Sequence, residues 1–360
     1  MKKELIKNYL PGGNTPQGFY SFYSYLPQKA EEVFIIKGGP GTGKSTFMKR
    51  IAEKAIDKEL DVELHWCSSD NNSLDGVVIP SRKIAMLDGT APHMTDPVYP
   101  GVLEEILNFG EYWDKKHLQK YKKEIIKLTK EISSNFKMAY LYLGMAKKPF
   151  IKEKSYIQDS INKTKFKELA DQLIETVFNS LRTDNKTSGI ERHLFGTGIT
   201  PEGHINYLEQ PGVRDTYLLE GPAGSGKSKI INQIGQTALQ NGVNVLFLHC
   251  SFEPEELDGV IINSGNSHKI AVLDSSEPHS IEKANKEVFK TEDILCKEKY
   301  NQKVDSRIKL KKIYREMMDN AFNHLAQAKA KHDELEEYYI KAMDFTGIEN
   351  MRKELENNIF

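Results

Sequence analysis

Two stretches of this chain combine glycines, a lysine and a hydroxyl at a spacing that suits phosphate binding. Gly38, Gly39, Pro40, Gly41, Thr42, Gly43, Lys44 and Ser45 read GGPGTGKS and run into Thr46. Gly221, Pro222, Ala223, Gly224, Ser225, Gly226, Lys227 and Ser228 read GPAGSGKS. Both satisfy G-x-x-x-x-G-K-[ST]. Glycines allow backbone conformations barred to other residues, so consecutive N–H groups can turn toward one anion. The N-terminus of a following helix strengthens that field. Lys44 and Lys227 would reach the β- and γ-phosphates of a nucleoside triphosphate, and the Ser45 and Ser228 hydroxyls would ligate Mg²⁺. A dinucleotide site is a poorer match, because neither stretch supplies G-x-G-x-x-G and both supply the lysine.

Such a loop works with an acidic residue at the end of a neighbouring strand, which holds the metal directly or through water. The runs KIAMLD and KIAVLD end in Asp88 and Asp274. An aspartate that merely turns the chain at a strand end is the bland alternative. No glutamate follows either aspartate; Gly89 and Ser275 stand there. His93 and His279, each five residues beyond its aspartate, are candidates to orient water or sense the nucleotide, against the reading that they only sit in a Pro-His turn.

The two motifs belong to a longer internal repeat. At a shift of 183 residues Gly38 falls on Gly221, Cys67 on Cys250, and LDGVVI from Leu74 on LDGVII from Leu257. KIAMLDGTAPH (83–93) then matches KIAVLDSSEPH (269–279) at a shift of 186. Looser matches flank these: TPQG at Thr15 with TPEG at Thr200, and AYLYLGMAKK from Ala139 with AFNHLAQAKA from Ala321. Residues 1–180 and 190–360 therefore read as two copies of one unit, joined by the polar stretch NSLRTDNKTSG (179–189).

This pattern resembles the P-loop NTPases, with residues 38–45 and 221–228 matching their Walker A motif and Asp88 and Asp274 resembling Walker B. Together with the tandem arrangement and the D-x-x-x-P-H element, it is similar to a bacterial family of duplicated P-loop proteins described as ATPases or nucleotide kinases. The likeness covers nearly the full chain. It implies an α/β fold of two tandem P-loop NTPase domains, with ATP and Mg²⁺ as ligands. Strong hydrolysis would usually call for a glutamate where Gly89 and Ser275 stand.

The elements that must position these residues can be read from periodicity. VFII (33–36) and TYLL (216–219) are short β-forming apolar runs that end at glycines. Phe47, Met48, Ile51, Ala55 and Ile56 recur at helical spacing, as do Ile230, Ile231, Ile234, Ala238 and Leu239. Buried strands alternating with helices predict, in each copy, a mostly parallel sheet wrapped by helices. Beyond His93, an amphipathic pattern through Leu118, Tyr121, Ile125, Leu128, Ile132 and Phe136 predicts a long added helix, echoed over 281–343. The expectation is a helical layer on the sheet; an arm for self-association or partner binding is the alternative.

Other repeated residues read as structure. Asp75-Gly76 and Asp258-Gly259 look like turn pairs before strands, with a place in the Mg²⁺ shell or a role as base as the functional alternative. Cys67 and Cys250 look like small buried residues, and a metal site from His65, Cys67 and His93 matches no zinc spacing. TPQG and TPEG read as turns, and TDPVYPG (95–101) as a shaped loop found only in the first copy. Arg82, Arg192 and Arg214 do not repeat between copies, so none is assigned to the phosphates.

Composition sets the outer bounds. The 360 residues carry a formal net charge of -1, which gives no global pull toward nucleic acid or anionic membrane. No run is long and apolar enough to span a bilayer. Three cysteines without C-x-x-C spacing predict reduced thiols and a cytoplasmic protein. Three functions fit: a nucleotide-driven ATPase switch, a kinase that passes the γ-phosphoryl to a nucleotide or small molecule, and an interaction module that holds ATP with little turnover. A second small-molecule or protein partner belongs to the last two.

Overall fold

The computed structural model describes residues 2–27, 29–90, 95–181, 189–263, 268–279 and 281–360. The first half opens with β1 (Ile6–Tyr9), β2 (Gly12–Thr15) and β3 (Gly18–Ser21). Next is β4 (Glu32–Lys37), whose four central residues are all buried, as expected of a continuous apolar run inside a sheet covered on both faces. α1 (Lys44–Asp57), β5 (Val62–Cys67), β6 (Asp70–Ile79), β7 (Ile84–Asp88) and β8 (Glu104–Asn108) follow. The half ends in helices α2 (Lys115–Lys120), α3 (Lys122–Gln158) and α4 (Lys163–Ser180).

The second half repeats the plan. It contains β9 (Glu191–Phe195), β10 (Thr197–Thr200), β11 (Gly203–Asn206), β12 (Asp215–Glu220), α5 (Lys227–Gln240), β13 (Asn244–His249), β14 (Leu257–Asn263), β15 (Lys269–Asp274) and β16 (Glu287–Lys290). Helices α6 (Lys297–Asn301), α7 (Val304–Ile340) and α8 (Phe345–Ile359) close it.

The protein is thus an α/β molecule with two sheet-rich halves. One sheet runs β1-β5-β6-β7-β4-β8 and the other β9-β13-β14-β15-β12-β16, the same order element by element. Most strands are parallel, but β6 and β14 run antiparallel to both neighbours. The reason is local: only two residues join β5 to β6, and so short a connection can return a strand only in the opposite direction.

The long helices depart from the expected layer on the sheet. α3 and α7, 37 residues each, pack chiefly on one another. Ala139, Leu143 and Ala146 of α3 meet Met318, Ala321 and Leu325 of α7, and the alanines let the two backbones approach closely. α1 and α5 cover their own sheets, but the helices that end each half have crossed over. α8, from the end of the second half, places Ile348, Leu355 and Ile359 in the first core beside Phe34, Ile36, Phe47 and Met48. α4, from the end of the first half, places Ala170, Leu173 and Val177 in the second core beside Ile230, Ile231 and Ile234.

A charged pair also joins the halves. Arg192 Nη1 of β9 lies 2.8 Å from Glu63 Oε2 of β5, and Glu63 is buried. Burial is the largest single influence and pushes the Glu63 carboxyl up, but Arg192, His65 and Lys7 together outweigh it and hold the carboxyl far below the usual carboxylate range. A carboxyl lowered in the folded state contributes stability that is present in full above its unfolded value, about 4.3, and is lost as pH falls below it. Removing the partner alone should cost about 3–5 kcal/mol, because a buried carboxylate is left without a counter-charge. We expect Arg192→Met to lower the denaturation midpoint accordingly, and Glu63→Gln in the same chain to restore much of it. Equal loss in both variants would deny the pair its role.

Candidate functional site: two glycine loops with acids beside them

Each glycine loop joins the strand before it to the helix after it, β4 to α1 and β12 to α5. Gly43 and Gly226 immediately precede the helices with φ of 88° and 96°, a left-handed conformation that a side chain would disfavour. The helix first turns are thereby aimed at the loops, with unpaired N–H groups toward them.

The lysines fold back over their loops. Lys44 Nζ donates to the Gly39 carbonyl at 2.7 Å and the Gly38 carbonyl at 3.3 Å, and lies 3.6 Å from Asp88 Oδ2. Lys227 Nζ donates to the carbonyls of Gly221 and Pro222 and lies 3.5 Å from Asp274 Oδ2. Sheet register sets this pairing. Asp88 on β7 stands opposite Ile36 on β4, and Asp274 on β15 opposite Leu219 on β12, so each aspartate ends its strand just where the adjacent strand turns into its loop.

The serines are fixed by β6 and β14. Ser45 Oγ accepts from the Leu74 N–H at 3.0 Å, and Ser228 Oγ from the Leu257 N–H at 2.9 Å. In the loops themselves, Thr42 Oγ1 donates to the Gly39 carbonyl at 2.8 Å, and Ser225 Oγ lies 2.6 Å from Thr291 Oγ1. Asp88 Oδ1 accepts from the Thr90 N–H at 2.9 Å, and Asp274 Oδ1 from the Ser276 N–H at 2.9 Å.

Asp75 and Asp258 are not turn residues. They lie inside strands β6 and β14 and are buried. The glycine after each serves close packing: a Cβ on Gly76 would come within 2.8 Å of Leu26 Cδ1, and one on Gly259 within 2.6 Å of Leu273 Cδ2. In the second half Asp258, Asp274 and His279 bring one ligand atom each within 4.8 Å of one another. Asp258 Oδ2 accepts from Thr197 Oγ1 at 2.8 Å and lies 3.4 Å from His279 Nε2. Burial is the largest single influence and pushes the His279 imidazole down, but Asp258 and Asp274 together outweigh it and the net shift is upward, so this histidine is a counter-charge for the two carboxylates before it is a base. The Asp274 carboxyl is raised, burial prevailing over the nearby Lys227. In the first half, burial followed by Asp75 pushes the Tyr23 phenol well up, with a further push from Asp88. His93 lies outside the described residues, as do residues 182–188 of the connecting stretch.

Each loop is also touched by the far end of a helix rooted in the other half. A Cβ on Gly39 would meet Tyr339 of α7 at 2.7 Å, and Gly41 N–H donates to Glu336 Oε1 at 3.0 Å. At the second loop, a Cβ on Gly224 would meet the Lys154 backbone of α3 at 2.8 Å, and one on Gly226 the Phe166 ring at 2.4 Å. The local sequence carries no signal for these contacts.

The remaining candidates lie elsewhere. The Cys67 and Cys250 thiols are pushed well up by burial, and neither these nor His65 belongs to a metal-capable cluster among the described residues. Arg192 lines a cleft of about 490 Å³ between the halves, with Lys7, Tyr9, Glu63 and Lys269, whose lining includes no residue of either glycine loop. No helix among the described residues is long and apolar enough to cross a membrane. The chain matches no protein-family model, no curated protein and no solved structure.

Proposed function

We propose that the protein binds a magnesium nucleoside triphosphate, with ATP as the expected nucleotide, at both glycine loops and acts as a hydrolase that uses nucleotide state as a switch. The single observation that carries this reading is the same grouping in both halves: a strand–glycine loop–helix unit whose lysine lies beside a strand-end aspartate. The residues suit the metal in the second half, since Mg²⁺ prefers oxygen donors and the Asp258 and Asp274 carboxylates offer them close together. Mg²⁺ bound there would neutralise charge on the β- and γ-phosphates.

Lys44 and Lys227 would exchange their loop carbonyls for phosphate oxygens, and the loop N–H groups would hold the chain of phosphates in place. In hydrolysis a water oxygen bonds to the γ-phosphorus, the bond to the β–γ bridging oxygen breaks, ADP leaves, and the water proton passes to solvent. The helical crossover supports the switch: each loop is in contact with a helix that runs back to the opposite half, so displacement at one loop has a rigid path to the other half.

The absence of a glutamate after Asp88 and Asp274 favours a second reading, a kinase whose acceptor brings its own nucleophile. Measuring phosphate release and ADP formation, with and without a panel of nucleoside monophosphates, separates the two. A switch gives equal amounts of phosphate and ADP and ignores the panel. ADP without free phosphate, dependent on one acceptor, would establish the kinase. Nucleotide binding without product under any condition would leave an interaction module.

A further inference from the structure

Helices α3 and α7 have equal length, and counting from their first residues Lys154 and Glu336 hold the same place. Both places touch the opposite half's loop in the same way. A Cβ on Gly41 would come within 2.8 Å of the Glu336 carbonyl oxygen, and one on the equivalent Gly224 within 2.8 Å of the Lys154 carbonyl oxygen. The backbone contact is thus repeated while the side chain changes sign.

The two side chains then do different things. Glu336 turns onto the first loop and its Oε1 accepts the Gly41 N–H at 3.0 Å. That N–H belongs to the set which, on the reading above, receives phosphate oxygen. Glu336 has His332 Nδ1 at 3.7 Å as a neighbour on its own helix. Lys154 turns away from the second loop, paired with Glu253 and with Glu256 at 3.4 Å on the segment that leads into β14. At this place the crossing helix therefore brings no carboxylate to the second loop, and its Lys154 ammonium is held by Glu253 and Glu256.

We propose that the two loops are inequivalent: Glu336 is a built-in competitor for phosphate at the first loop, and the second loop, which has no such competitor at the matching place, takes the nucleotide more tightly. The inference rests on the proposed nucleotide reading. A carboxylate oxygen and a phosphate oxygen compete for one N–H, and the carboxylate charge also repels the incoming polyphosphate. The nucleotide thus fills the first loop only when the end of α7 withdraws. Position 336 thereby couples loading of the first loop to the helix pair that reaches the second.

Calorimetric titration with Mg-ATP, and separately with inorganic tripolyphosphate, tests this on the full chain. Lys44→Ala should leave only the tighter class of sites and Lys227→Ala only the weaker one. In the Lys227→Ala background, Glu336→Gln should tighten the remaining site by about tenfold, the scale of one charge-assisted contact, for both probes. In the Lys44→Ala background the same change should alter nothing. The mirrored variant Lys154→Glu should weaken the second site by a similar factor, and so keeps the inference open to refutation if Glu336→Gln proves unstable. Two lysine-dependent sites of equal affinity, or an unchanged first site in Glu336→Gln, would overturn the inference and leave the nucleotide reading standing. Binding that neither lysine variant affects would overturn the nucleotide reading itself.

Discussion

Replacing Lys44 and Lys227 together with alanine should abolish measurable Mg-ATP binding, and each single change should remove one of two sites. Each ammonium is expected to form charge-assisted hydrogen bonds with phosphate oxygens, so its loss should weaken its site by roughly 100-fold. The effect should be local to the ligand. Both lysines now donate to carbonyls of their own loops and face one aspartate each, so truncation leaves no apolar cavity in either core. Lys227 is 6 % exposed, and its removal leaves the half-buried Asp274 without its paired ammonium; that carboxyl, already raised by its surroundings, should then take up a proton more readily. Lys44→Met and Lys227→Met keep the aliphatic stem and should behave as the alanine variants do. Calorimetry on the four single variants and the double is the measurement. Full binding in the double variant would remove the basis for both sites.

The second large effect concerns the crossed helices. A fragment of residues 1–181 should be unstable alone, although it contains every strand of the first sheet. Without α8 its core loses Ile348, Leu355 and Ile359, each worth about 1.5–3 kcal/mol of burial. That sum is comparable with the whole stability of an ordinary domain, about 5–15 kcal/mol. The fragment of residues 189–360 faces the same loss, since Ala170, Leu173 and Val177 of α4 are absent. Produced together, the fragments should recover a one-to-one complex through both exchanged helices and the α3–α7 contact. Thermal melts and sedimentation of each fragment, alone and mixed, give the answer. A 1–181 monomer that melts cooperatively near the full-chain midpoint would show that the exchange does not hold the first core. In the intact chain, Leu355→Ala should cost about 2–5 kcal/mol, as expected for a large aliphatic side chain removed from a core.

What was legible in the sequence was local and periodic. The strand–glycine loop–helix units follow from apolar runs that end at glycines, and the strand-end positions of Asp88 and Asp274 follow from KIAMLD and KIAVLD. Helical character after residue 115 was equally plain, because an amphipathic stripe runs from Leu118 to Phe136. Asp75 and Asp258 were misread as turns because Asp-Gly is a common turn pair. Here the glycine is required by a neighbouring side chain pressing on the strand, which no nearby residue discloses.

The sequence by itself determined the strand–glycine loop–helix units and the strands that end in Asp88 and Asp274, since backbone conformation, side-chain chemistry and hydrophobic period are properties of a few consecutive residues. Only the tertiary structure decided where the long helices end. α4 and α8 pack on the opposite half's sheet, and α3 and α7, packed on one another along their length, carry the chain there. That crossing sets Glu336 against Gly41 and Lys154 against Gly224, contacts across 295 residues in the first case and 70 in the second. Contacts between residues so far apart depend on the three-dimensional path of the chain, and no local pattern encodes that path.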